Sequence, residues 1–126
     1  MPVAAPPDTA LLSVSWLNYY RHNRESLLPI PWERGAELNE AELAAVAASI
    51  QEFQLGESSE GKHLVQRAEE FARREGLSAY AEAVKLFVAE EHRHARDLGR
   101  VLDLAGVPRL RKAWADSVFG RLRHLA

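Results

Sequence analysis

Between Asn39 and Ala105 the chain has no proline, and its apolar residues recur at helical spacing on both sides of one break at Gly76. A proline inside a helix removes a backbone donor and clashes with the preceding turn, so its absence over such a length permits long helices. Asn39 with Glu42 three residues on is a capping-box pattern, and a first rod is expected from there to Glu75. Gly76 can take the left-handed position after its last turn. Ser78 can cap a second rod, with Glu82 in its first turn, and Gly106 and Pro108 stop it after Ala105. About 35 residues at ~1.5 Å each make the first rod roughly 50 Å long. Gly56 and Gly61 interrupt it, each costing about 1 kcal/mol relative to alanine if exposed, which suggests close packing or a local adjustment there. Only a tight turn joins the rods, so the expected fold class is all-α, an antiparallel long-helix hairpin.

The flanks are less regular. Met1–Pro7 carries three prolines and reads as a tail. Asp8 or Thr9 could cap a short helix to about His22, with Leu12, Trp16, Tyr19 and Tyr20 at helical spacing; Leu12, Val14 and Trp16 also alternate, so a short strand is the rival reading. Arg24–Gly35, with Pro29 and Pro31, reads as an irregular strap. Leu110 to Leu125 places Leu110, Trp114, Val118, Phe119, Leu122 and Leu125 on one face, as a short amphipathic helix does. The expected organisation is a tail, short helix and strap over 1–38, the helical hairpin over 39–106, and a short helix over 107–126.

Composition narrows the chemistry. The 126 residues include no cysteine, which excludes disulfides, thiolate metal sites and cysteine nucleophiles. A metal would have to be held by carboxylate and imidazole. Lys plus Arg number 16 against 18 Asp plus Glu, so no basic excess points to nucleic acid or to an anionic membrane as a partner. No apolar stretch approaches the ~20 residues of a membrane helix, and no signal-peptide pattern opens the chain. A cytoplasmic location is the expectation.

Steps of seven along the first rod give Leu43, Ile50, Glu57, Leu64 and Phe71, so a carboxylate sits in an apolar row. The second rod carries Val84, Glu91, Leu98 and Ala105, with Tyr80, Phe87, His94 and Val101 beside them. Glu91 and His94 thus share the face that otherwise carries the core. Glu57 lies 20 residues before the turn at 77, and Glu91 and His94 lie 14 and 17 after it. In antiparallel rods the three fall within about a turn or two of one level. Burying an isolated carboxylate costs several kcal/mol, and a cation removes that penalty. Glu57, Glu91 and His94 are therefore the candidate metal ligands. Glu60 is a spare carboxylate, Asp97 could orient the His94 ring, and Tyr80 on the seam row is a candidate redox residue. Glu90, His92, Arg93, Arg96 and His63 read as surface, and the tryptophans and other tyrosines as packing residues.

Gly56-Glu57-Ser58 on the first rod, Glu91-His92-Arg93-His94-Ala95 on the second, and the helix end Phe71–Gly76 give Gln51–Gly99 a pattern that resembles the first two helices of the ferritin-like superfamily, in particular the rubrerythrin type. The resemblance covers under half of the chain. It implies Glu57 as a terminal carboxylate ligand, Glu91 as a bridging carboxylate and His94 as an imidazole ligand of a di-iron centre. The family's second Glu and second Glu-x-x-His, on helices three and four, are missing here. A twofold dimer would restore a four-helix bundle with four carboxylates and two imidazoles, similar to encapsulated ferritins; alternatively the chain is the amino-terminal half of a longer protein.

The expected function is oxidation of Fe(II), or reduction of dioxygen or peroxide, at a site shared between two chains, with manganese as another metal the ligands accept. A homodimer or higher homo-oligomer is expected, with no electron donor named by the sequence. The alternative from another class is a non-catalytic helical interaction module whose polar seam residues fix register. An oxygenase on the same di-iron frame is a third idea, for which the sequence offers no substrate pocket.

Overall fold

The computed structural model describes residues 8–111, and the described residues are all-helical, without a strand. Four α-helices follow one another: α1 (Thr9–Glu25), α2 (Glu40–Glu57), α3 (Lys62–Glu75) and α4 (Ser78–Ala105), with a 3-10 turn at Trp32–Arg34. The expected tail at Met1–Pro7 and nearly all of the expected C-terminal helix lie outside the described residues. No helix among the described residues is long and apolar enough to cross a membrane.

Local chemistry accounts for the helix ends. Asn39 Oδ1 accepts from the Glu42 backbone N–H at 2.9 Å, and the Asn39 N–H donates to Glu42 Oε2 at 2.9 Å, closing the capping box that starts α2. Gly76 takes φ +68°, and the Leu77 N–H donates to the Ala72 carbonyl at 2.9 Å, so α3 ends in a left-handed turn that leads directly into α4. α1 runs past its expected end at His22 to Glu25, and the strand alternative at Leu12–Trp16 is not what forms. The strap is irregular apart from the 3-10 turn.

The expected single rod over 39–75 is corrected to two helices. α2 stops at Glu57 and α3 begins at Lys62. Two consecutive serines offer the backbone competing hydrogen bonds, and Ser58 Oγ donates to the Leu55 carbonyl at 2.6 Å. Gly61 then adopts φ +67°, and a Cβ there would stand 2.7 Å from a Val88 methyl. Gly61 is required by conformation and by space together. Gly56, by contrast, remains helical, and a Cβ on it would meet nothing within 4 Å.

The chain packs as two compact units that share α4. The first unites the segment up to Pro29 with Glu60–Glu91; the second unites Ile30–Ser59 with the segment from His92 onward. In the first unit the buried apolar side chains are Leu17, Ala68, Ala72, Ala81, Ala83 and Val88. Phe71 meets Tyr80 edge-on at 5.1 Å, and Lys85 pairs with Glu69 at 2.7 Å. In the second unit Ala95 and Leu102 are buried, Gln51 Nε2 donates to the Pro108 carbonyl at 2.7 Å, and the Arg100 guanidinium lies 4.5 Å over the Trp32 ring. The buried set is dominated by alanines. A buried methyl contributes ~0.8 kcal/mol where a full leucine or valine contributes ~1.5–3, so each core is thin. Meanwhile Leu12, Trp16, Phe53 and Leu64 are between 47% and 64% exposed.

Gly61→Ala is expected to destabilise the chain by about 2 kcal/mol or more, because strain at positive φ adds to the Val88 clash. Thermal unfolding followed by circular dichroism measures it. Val88→Ala should cost less in the Gly61→Ala background than alone, since the two side chains compete for one space.

Candidate metal centre

α2 ends on a carboxylate. Glu57 is its last residue, and its last turn holds no basic side chain. The helix dipole places partial negative charge at that end, so a carboxylate there is unfavourable by about 0.3–1 kcal/mol without a neighbouring cation. In the second unit His94 Nδ1 lies 3.4 Å from Glu57 Oε2, with the Glu57 side chain 23% exposed and that of His94 41%. The contact is close enough for charge attraction but lacks hydrogen-bond alignment. Glu57 Oε2 is itself fully buried and has no hydrogen-bond partner among the described residues. A buried carboxylate oxygen without a donor costs about 1–3 kcal/mol or more.

Glu91 reaches the pair through α4 itself. The helix is continuous from Ser78 to Ala105, so one unbroken turn holds Glu91 against His94. One ligand atom from each of Glu57, Glu91 and His94 lies within 4.8 Å of the others, and all three residues are half-buried. A divalent ion with bonds of about 2.1 Å sets neighbouring ligand atoms ~3 Å apart and opposite ones ~4.2 Å apart. The donor set of two carboxylates and one imidazole suits iron, manganese or zinc. The buried donorless oxygen is what such an ion would satisfy.

The remaining candidates stand elsewhere. Glu60 falls in the break between α2 and α3, is largely exposed and pairs with Lys62 at 3.1 Å. Asp97, one turn beyond His94, is not in the three-residue group. Tyr80 packs on Phe71 in the first unit, eleven residues before Glu91 and so about 16 Å along the helix axis.

The sequence presents His92 as surface and Tyr20 as packing, and the structure gives each a further contact. His92 is half-buried, and its Nε2 lies 2.7 Å from the Ser59 carbonyl. A carbonyl only accepts, so Nε2 carries the proton and donates, tying α4 to the break that follows Glu57. The run Ser58–Gly61 was the available signal: a helix broken there exposes carbonyls for a facing side chain to satisfy. Tyr20 belongs to an aromatic group on α1, with Trp16 at 5.9 Å and Tyr19 at 5.3 Å, and touches Phe87 at 6.1 Å. Burial first, then the negative charge of Glu90, with smaller contributions from Tyr19 and Glu91, holds its hydroxyl above the usual tyrosine range. No signal in the sequence connects α1 to this part of α4.

No protein-family model, curated protein or solved structure matches the chain. The likeness to ferritin-like proteins accordingly rests on the residues themselves.

Because Tyr20 is held neutral, its contribution to stability is fully present below its ordinary pKa of 10.0 and is lost as pH rises through its higher folded value. Ultraviolet titration of the folded chain should show one tyrosine ionising above the ordinary tyrosine value of 10.0. Tyr20→Phe should remove that late step, and its persistence in the variant would contradict the assignment.

Proposed function

We propose that the chain carries one half of a ferritin-like dimetal carboxylate centre, and that a second copy of the chain supplies the other half. The observation that carries this reading is the buried, donorless Oε2 of Glu57 beside His94 and Glu91. A lone half-site of this kind leaves a carboxylate unsatisfied, whereas a bound cation satisfies it. Two further features support the reading. The alanine-dominated cores leave Phe53 and Leu64 largely exposed, and helices with such faces gain by packing against others. The pairs Glu69–Lys85 and Phe71–Tyr80 have the sequence relationship of an antiparallel helical hairpin, which is half of a four-helix bundle.

In this reading Glu57, Glu91 and His94 would hold the metal, with iron as the first choice and manganese the second. A carboxylate-held iron pair supplies electrons from Fe(II) to dioxygen or peroxide. The chain's own residues bind and position. Glu57 places a negative oxygen at the end of α2. α4 holds Glu91 and His94 at fixed spacing on one face. His92 secures the break behind Glu57 by its bond to Ser59. The His94 side chain is 41% exposed, so the group is reached from solvent.

The test is an anaerobic Fe(II) titration combined with mass determination by light scattering. About one iron per chain in a dimer is expected, with binding reduced at least tenfold in Glu57→Ala and in Glu91→Ala. Binding by a monomer at the same stoichiometry would move the missing half to further helices of a longer chain. A helical dimer that binds no iron would favour the non-catalytic interaction module.

A further inference from the structure

Tyr80, Val84, Phe87 and Glu91 follow one another at spacings of four, three and four, so they form a single stripe along α4. The last member belongs to the metal-ligand group. The first three do not, and the proposed metal chemistry gives them nothing to do. In the first unit α1 lays Trp16 and Tyr20 opposite them, and the helices line a cavity of about 290 Å³ that is open to solvent on one side, with Leu12 58% and Trp16 53% exposed.

The wall of this cavity is mostly carbon. Ala83 forms part of the floor and is buried. The hydroxyl of Ser13, also on the wall, is committed to the Thr9 carbonyl at 2.7 Å. Water entering the cavity would find few partners, and an apolar ligand displaces such water favourably. Among the described residues the wall holds no lysine, arginine or histidine to receive an anion. The charges felt at its Tyr20 edge, those of Glu90 and Glu91, are negative. A fatty acid or other carboxylate would meet repulsion there. At ~30 Å³ per water-sized volume, the space holds a molecule of about ten heavy atoms, near the lower limit of ordinary ligand pockets.

We propose that this cavity is a binding site for a small uncharged apolar molecule, aliphatic or simple aromatic, seated on the α4 stripe that ends at Glu91. The proposal goes beyond the metal reading and does not require it. The aromatic walls would grip the ligand by face and edge contacts, as Trp16, Tyr20 and Phe87 already do with one another.

The experiment is a titration of the full chain with 1-fluoronaphthalene, followed by fluorine NMR. Saturable binding at about one molecule per chain is expected. Ala83→Leu fills the cavity from its floor, and Leu12→Trp fills it from a position that is 58% exposed and tolerant of change. Each should weaken binding by about tenfold or more while leaving the circular dichroism spectrum in place. 1-Naphthoate, of the same ring system but anionic, should bind at least about tenfold more weakly than the neutral compound. Non-saturable uptake, or equal binding by the wild type and a folded filled variant, would overturn the proposal. So would binding that disappears as the chain dimerises with rising concentration, since the cavity would then be the seat of the second copy. Glu57→Ala separates the two readings. Loss of iron with retention of 1-fluoronaphthalene leaves the cavity intact, whereas iron binding without any 1-fluoronaphthalene binding rejects the cavity alone.

Discussion

The burial of one carboxylate oxygen, Glu57 Oε2, organises the functional reading of this chain. It lies at the negative end of a helix, 3.4 Å from an imidazole and without a hydrogen-bond donor among the described residues. The helix end and the missing donor each oppose a carboxylate by an amount of order 1 kcal/mol, and the remedy for both is positive charge. His94 Nδ1, 3.4 Å away, does not donate a hydrogen bond to the Glu57 oxygen. A divalent ion coordinated by Glu57, Glu91 and His94 is the fuller remedy. The proposal of a metal centre follows from this electrostatic requirement more directly than from any likeness of sequence.

The helix break after Glu57 is the structural condition for that burial. A continuous rod through 57–62 would place Glu57 in mid-helix, with its backbone neighbours satisfied and no helix end nearby. The two serines and Gly61 end α2 instead, and His92 fixes the released carbonyl of Ser59. Gly61 is held there both by its positive φ and by the Val88 side chain that occupies the place of a Cβ. The same few residues therefore end a helix, present a carboxylate and anchor the facing helix.

Much of the fold was legible from local chemistry. The capping box at Asn39, the left-handed turn at Gly76 and the stop at Gly106 are set by residues within a few positions of the feature they produce. Periodicity placed Glu57, Glu91 and His94 in apolar rows, and the structure brings one atom of each within 4.8 Å of the others. The break at 58–61 was less legible. Gly56 and Gly61 look equivalent in a helical pattern, yet only Gly61 takes a positive φ, at a place where Val88 of α4 leaves no room for a Cβ. The cavity beside α1 and the environment of Tyr20 were illegible for the same reason: both depend on how α1 lies against α4, which no spacing within either helix encodes.

Metal-linked unfolding tests the central claim most directly, because it asks whether Glu57 is a liability that a cation relieves. Thermal unfolding of the wild type and of Glu57→Gln should be compared in chelator and in anaerobic Fe(II) or Mn(II). The account predicts that the wild type gains about 2.7 kcal/mol when free metal is a hundred times its dissociation constant. Glu57→Gln should gain little from metal, yet match or exceed the wild type in chelator, since it removes a buried charge. Equal responses of the two proteins to metal, or a large loss of stability from Glu57→Gln in chelator, would contradict it.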